Sequence, residues 1–281
     1  MRTGVNVPNF GPGTDPGVLR SWAQTVEGLG FDLLMVSDHV AITPDVAAQY
    51  PAPFYEPFTT LSWLAGVTER IGLGTTVLVL PYRHPLLVAR MAANLQQLSG
   101  GRLVLGVGVG WARQEFEALG VPFRQRGRLT DDYLRSLRTA WADEADYGAT
   151  PIPVWVGGHA DAGLRRAVRL GDAWHPLRLT LPRLHATADR LAAIAAEEEL
   201  PVPAFAPRIA LRITDTPVTG AERAAGVGTL EQVLGDLEEL RLMGAESVVF
   251  DPFDGDPEET RRPQRAWRAL ATLADCWDRG R

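Results

Sequence analysis

Asp38 and His39 stand directly after an apolar run, FDLLMVS. An imidazole in that place can accept or donate a proton near neutral pH, here with an acid just before it. Two other apolar runs end in glycine. LVLGVGVG closes on Gly106, Gly108 and Gly110 before Trp111, and PVWVGG closes on Gly157 and Gly158 before His159. Missing side chains let a ligand reach backbone N–H groups, and a helix start just beyond favours an anion. With Gly226, Gly228 and Thr229 as a third exit, the pattern points to a phosphate-bearing ligand. Phe10, Trp111, Trp155 and Trp174 are flat side chains near the ends of such runs and can stack on a ring; Trp155, inside its run, reads as core. Asn9, Trp111 and Trp174 are the candidates for a substrate pocket. Glu115 and Glu117 read as solvated helix charges, and Asp251 and Asp254, after the last apolar run, as catalytic candidates or, more commonly for loop acids, solvated turns.

Other chemistry is excluded. All 28 basic residues are arginine, so no lysine Schiff base can form and no phosphate-loop Gly-Lys-Ser/Thr exists. The five histidines, His39, His84, His159, His175 and His185, include no His-x-His pair and no Glu-flanked pair four apart, so no metal site is expected. A single cysteine, Cys276, gives no disulfide framework. There is no Gly-x-Ser-x-Gly elbow, and the fourth strand ends in Gly-Trp where a glycosidase would need a carboxylate. A net charge of −6 gives no general electrostatic support for a nucleic-acid partner. No apolar run has bilayer-spanning length and the start shows no signal-peptide pattern, so a cytoplasmic protein without a membrane partner is expected.

These residues need a scaffold to hold them. Short apolar runs occur at Arg2–Val7, Phe31–Ser37, from Ile71, from Leu103, at Pro153–Val156, Gly171–Pro176, Pro207–Thr214 and Glu246–Phe250. Runs apolar throughout suit strands buried on both faces. Helical patterns separate them: Val18–Leu29, Thr59–Arg70, Pro85–Leu98, Arg113–Leu119, Leu129–Trp141, Ala160–Leu170, Leu181–Leu200, Leu230–Met243 and a last helix to about Trp277. Val40–Phe58, rich in proline and aromatics, reads as a long loop. Eight strands alternating with helices predict an α/β fold, a (β/α)8 TIM barrel, as one domain over residues 1–281. The site then lies at the C-terminal strand ends: Asn6–Asn9, Asp38-His39, Thr76–Pro81, Gly108–Trp111, Gly157–His159, Trp174–His175, Thr214–Asp215 and Asp251.

The run LGTTVLVLPYRHPLLVARMAANLQQLSGGRLVLGVGVGWARQEFEALG resembles the luciferase-like oxidoreductases, and most of all their coenzyme F420-dependent branch. VNVPNFG, GFDLLMVSDH, PVWVGG and GTLEQVLGDLEELRLMGAESVVF are similar in the same order. The resemblance implies catalytic roles for Asp38 and His39 beside a deazaflavin ring. It implies a non-proline cis peptide at Thr76–Val77 behind that ring. Gly108-Val109-Gly110 and Gly157-Gly158, with His159, would take the cofactor's tail and phosphate. The implied activity is hydride transfer to or from C5 of coenzyme F420, acting on a small-molecule substrate, in a homodimer. An FMNH2-dependent monooxygenase is the alternative, and a non-catalytic flavin- or deazaflavin-binding barrel the second one. This chain also departs from the pattern. F420-dependent sugar and alcohol dehydrogenases carry Glu at the position of Trp111, and Trp shortly after the Asp-His, where Val40-Ala41-Ile42-Thr43 stand here. The third helix reads Leu95-Gln96 where similar proteins read Leu-Asp, and the connector from Trp141 to Pro153 is short.

Overall fold

Parallel strands pair around a closed ring in the computed structural model, which describes residues 1–253 and 255–278. The strands are β1 (Arg2–Asn6), β2 (Leu33–Val36), β3 (Gly72–Val79), β4 (Leu103–Gly108), β5 (Val154–Gly157), β6 (Ala173–His175), β7 (Ala204–Phe205), β8 (Arg208–Ala210) and β11 (Ser247–Asp251). Each of β1 to β7 pairs with its neighbour in sequence, and β1 pairs with β11, which pairs with β8. β7 and β8 are two halves of the seventh barrel strand, broken around Pro207, which has no N–H to give to a ladder. Bridges from Leu177 to Arg208 and from Phe205 to Ala245 complete the ring. The barrel part of the predicted strand Pro207–Thr214 ends at Ala210; β9 (Arg212–Ile213) pairs with β10 (Val227–Gly228) in a separate parallel ribbon. Thr214 and Asp215 follow that ribbon and not a barrel strand, which corrects their assignment to the mouth.

The helices are α1 (Pro16–Gly28), α2 (Pro44–Ala47), α3 (Pro57–Ala65), α4 (Pro85–Leu98), α5 (Arg113–Ala118), α6 (Arg126–Trp141), α7 (Glu144–Tyr147), α8 (Asp161–Leu170), α9 (Leu181–Glu197), α10 (Leu230–Leu242) and α11 (Pro263–Asp278). Their starts are chemically marked. Pro occupies the first turn of α4, where its missing N–H costs nothing. Thr229 and Gln232 form a reciprocal capping box at α10. Among the described residues, no helix is long and apolar enough to cross a membrane.

Strand alternation divides the core in two. Leu33, Met35, Val104, Trp155, Ala173, Ala206 and Val249 fill the barrel, while Leu34, Val36, Leu105, Val107, Val154, Val156, Trp174 and Phe250 pack outward with the helices. Gln96 has a defined use. Its buried side chain accepts from the Leu103 amide at 2.8 Å and donates to the Pro151 carbonyl at 2.6 Å. It thereby ties α4 to the start of β4 and to the short connector, in which α7 supplies one helical turn. The segment from 40 to 56 is less of an open loop than its composition suggests: it holds α2, an antiparallel bridge from Phe54 to Phe10, and a hydrogen bond from the Tyr55 amide to the Asn9 carbonyl.

Candidate active site

The top layer of the barrel interior is polar and continuous. Asp251, on β11, accepts at Oδ2 from Arg208 Nε at 3.0 Å and Nη2 at 2.5 Å, and from Arg178 Nε at 3.0 Å. Its Oδ1 accepts from Asn6 Nδ2 at 3.2 Å. Arg208 Nη1 donates to the Thr76 carbonyl at 2.5 Å, and the Thr76 hydroxyl lies 2.8 Å from His175 Nε2. His175 Nδ1 completes the layer with the Ala206 carbonyl at 2.5 Å. Burial pushes the His175 imidazole down to about 4, and the nearby Arg208 charge adds to that. The ring is therefore neutral near pH 7, donating from Nδ1 and accepting the Thr76 hydroxyl at Nε2. Side chains from β1, β3, β6, β8 and β11 thus form one hydrogen-bonded floor.

His39 stands above this floor at the end of β2. Its Nδ1 is 2.6 Å from Glu115 Oε2 on α5. Glu115 also accepts from the Tyr82 hydroxyl at 2.8 Å and from the amides of Val40 at 2.6 Å and Ala41 at 3.0 Å. Burial alone would raise that carboxyl, but the hydrogen bonds from His39, Val40 and Tyr82 outweigh it and hold the group below its usual value. An ionised, four-fold accepting Glu115 fixes the proton of His39 on Nδ1. Nε2 makes no hydrogen bond to the described residues. Tyr50 stacks on the imidazole at 5.3 Å, and Phe54 and Trp111 meet its edges at 5.4 and 5.7 Å. The result is an oriented proton acceptor or donor at the barrel mouth.

The peptide bond between Thr76 and Val77 is cis, and the β3–β4 register shifts between Thr75 and Leu78. The β4 glycines serve this bulge. A Cβ on Gly106 would lie 2.0 Å from the Thr75 carbonyl oxygen, and one on Gly108 would lie 2.5 Å from Val77 Cγ2. Gly110, at φ +76°, leaves room for Val79 and Phe116 and turns the chain into α5, which delivers Glu115. The Gly157-Gly158 exit differs. Gly158 has φ +116°, and a Cβ there would meet only Gly163 Cα, at an ordinary 3.7 Å. The α8 N-cap is Ala160, which offers no side-chain acceptor, and the amides of Asp161 and Ala162 find none among the described residues. Unpartnered amides at a helix start suit an anion.

The comparisons with known proteins bear on this geometry. Residues 1–218 match the luciferase-like monooxygenase family. The chain belongs to that family. An uncharacterised protein of Mycobacterium tuberculosis is 34% identical over 180 residues, covering 54% of this chain and 62% of that protein. An F420-dependent glucose-6-phosphate dehydrogenase of Kineococcus radiotolerans is 30% identical over 179 residues, covering 57% and 52%. The luciferase-like chain therefore matches about half to three-fifths of the length of these curated relatives. In structure, the oxygenating constituent of 3,6-diketocamphane monooxygenase from Pseudomonas putida, solved with FMN, superposes with a TM-score of 0.73 at 16% identity, covering 98% and 97%.

On this luciferase-like barrel the predicted residues separate. His39, Thr76, Val77, Gly157, Gly158 and His159 all lie at C-terminal strand ends, and Trp111 borders His39. Three predicted roles are corrected. Trp174 is fully buried on the outer face of β6, stacked on Phe205, and donates to the Gly158 carbonyl at 2.7 Å; it supports the glycine turn and lines no pocket. Asn9 is also fully buried, its amide spent on Ser37 and the Tyr55 carbonyl. Asp38 is fully engaged, gripped by both terminal nitrogens of Arg83 at 2.8 Å and by the Val79 amide. Burial pushes its carboxyl up against the pull of that guanidinium, and its oxygens are not free for proton transfer. Gly108 and Val109 sit beside the bulge, with the space at Gly108 filled by Val77. Asp254 lies outside the described residues. The residue that sequence reasoning missed is Glu115, taken for a solvated charge; its one signal is the next residue, Phe116, whose burial draws the start of α5 inward.

Proposed function

We propose that this chain, read as one barrel domain over residues 1–281, is an F420-dependent oxidoreductase that moves a hydride between the cofactor and a small organic substrate. The observation that carries the proposal is the His39–Glu115 pair, with Nε2 free of any hydrogen bond to the described residues, at the mouth of a luciferase-like barrel. The F420-dependent relative supports the choice of cofactor. The residues present fit a flavin-type group. The amides at Gly158 and the start of α8 would hold its phosphate, and the Thr76–Val77 bulge would back its ring. When bound, coenzyme F420 supplies a hydride donor or acceptor at C5. The chain's own part is to align the reactants and exclude water. His39 Nε2 takes or gives the proton at the reacting oxygen, Glu115 keeps the imidazole aimed and its tautomer fixed, and the floor from Asn6 to His175 keeps Thr76 in place.

Two observations favour a second reading, an FMNH2-dependent monooxygenase. Trp111, not an acid, follows β4, and a structural neighbour was solved with FMN. Fluorescence titration of the purified protein with F420 and with FMN tests the choice. Saturable F420 binding with weaker FMN binding is expected. FMN binding without F420 binding would refute the first reading.

A further inference from the structure

Three apolar side chains stand open to water around the barrel mouth. Val40, Trp111 and Leu177 are 45%, 44% and 47% exposed, just past the ends of β2, β4 and β6. Leu177 follows His175 by two residues and bridges Arg208, so it faces the same way as those floor residues. Tyr50 and Phe54 add two more rings around His39.

Three guanidiniums near the mouth are already committed. Arg83 is held by Asp38 and Glu56, Arg208 by Asp251 and the Thr76 carbonyl, and Arg178 by Asp251 and the Phe253 carbonyl. A phosphate or carboxylate beside His39 would find these three engaged, and Arg113, which has no carboxylate partner among the described residues, lies over the Phe123 ring at 4.4 Å, so desolvating an anion there would be costly. His39 Nε2, the Tyr50 hydroxyl and the Trp111 indole N–H make no hydrogen bond to the described residues, and the Tyr50 and Trp111 rings both contact the imidazole. That set suits one hydrogen-bonding oxygen on an otherwise flat, apolar body.

We propose that the substrate is a neutral, planar, largely apolar molecule with one carbonyl or hydroxyl oxygen, held between Tyr50, Phe54 and Trp111 with that oxygen toward His39 Nε2. This rests on the reading of His39 as the proton-transferring group. A sugar phosphate, the substrate named for the Kineococcus relative, is the wrong class for this mouth.

The test is calorimetric titration with 1-tetralone, a neutral bicyclic ketone, and with glucose 6-phosphate, on the protein alone and on protein pre-incubated with F420. Saturable binding of tetralone is expected, weakened about two- to tenfold by Trp111→Ala and again by Tyr50→Leu, as loss of an aromatic pair predicts. Glucose 6-phosphate should give no saturable heat at millimolar concentration. Tighter binding of glucose 6-phosphate than of tetralone overturns the proposal. So does an absence of tetralone binding, or tetralone binding that neither substitution changes. If tetralone binds the protein alone while F420 fails to bind, the cofactor reading falls and the substrate class stands. If F420 binds and tetralone does not, the substrate class alone is refuted.

Discussion

Replacing Glu115 by Gln separates geometry from charge at His39. The carboxylate accepts from two backbone amides at Oε1 and from His39 and Tyr82 at Oε2. A glutamine keeps the volume but must turn an NH2 toward one of these pairs. The Val40 and Ala41 amides cannot rotate away, so the NH2 faces Tyr82, whose hydroxyl can swing, and His39, whose proton can move. Nδ1 of His39 then becomes an acceptor and Nε2 carries the proton. Charge-assisted bonds worth roughly 1.5–3 kcal/mol each give way to neutral ones of about 1 kcal/mol, so a loss of about 2–4 kcal/mol in folding stability is expected. Where the reaction needs Nε2 as proton acceptor, turnover should fall about 100- to 10,000-fold. The wild-type contribution also depends on pH. Because the folded Glu115 value is depressed, this stabilisation is complete above the usual glutamate range and fades as pH drops through the lowered value. Nitrogen-15 NMR of labelled histidine gives the tautomer, and urea titrations at pH 7 and in acid give the stability. A variant whose His39 keeps its proton on Nδ1, with an unchanged urea midpoint, would refute the reasoning.

Three further outcomes follow from the geometry. His175 stays neutral in the folded chain until pH reaches about 4, while an unfolded histidine takes its proton near 6.5; stability should fall by about 3 kcal/mol between those values, and His175→Gln should flatten that stretch of the urea-derived stability curve. Gly106→Ala would drive a methyl against the Thr75 carbonyl, and Gly108→Ala would meet only the movable Val77 side chain, so equilibrium unfolding should show the first losing 3 kcal/mol or more (on the order of overpacking costs) and the second less; equal losses would contradict the bulge explanation. Ala160→Ser would cap α8, raising the stability of the ligand-free protein by about 1 kcal/mol while weakening the binding of a phosphate-bearing cofactor, since the new hydroxyl takes an amide the phosphate would use; tighter binding would place the phosphate elsewhere.

The alternation of apolar runs and helices was enough to read the barrel, because parallel strands buried on both faces have little else they can be. His39 was legible for the same reason: it is a polar residue at the one end of a buried strand where barrels keep chemistry. The errors share a cause. A strand that is apolar on both faces hides which residues point inward, so Trp174 could be placed in the pocket although Trp155, paired near it on β5, is the one inside. Glycines read as openings for a ligand can equally make room for a neighbouring strand, as at Gly106 and Gly108. Glu115 and Glu117 differ by two positions on a six-residue helix, and only the packing of Phe116 separates the buried acid from the solvated one. Nothing local in the sequence records that distinction.

The floor that joins Asn6, Asp251, Arg208, Thr76 and His175 takes no hydrogen bond from any residue between 40 and 56. The segment that frames the mouth is fastened elsewhere, through the Asn9–Tyr55 bonds, Glu56 to Arg83, and the amides after His39 held by Glu115. A change in the circle is felt by several strands at once. A change in the frame reaches the reacting imidazole by one short route, the Val40 and Ala41 amides that share Glu115 with His39. Insertions near Tyr50 can therefore reshape the mouth with the circle intact, whereas any shift at Val40 re-aims the imidazole itself.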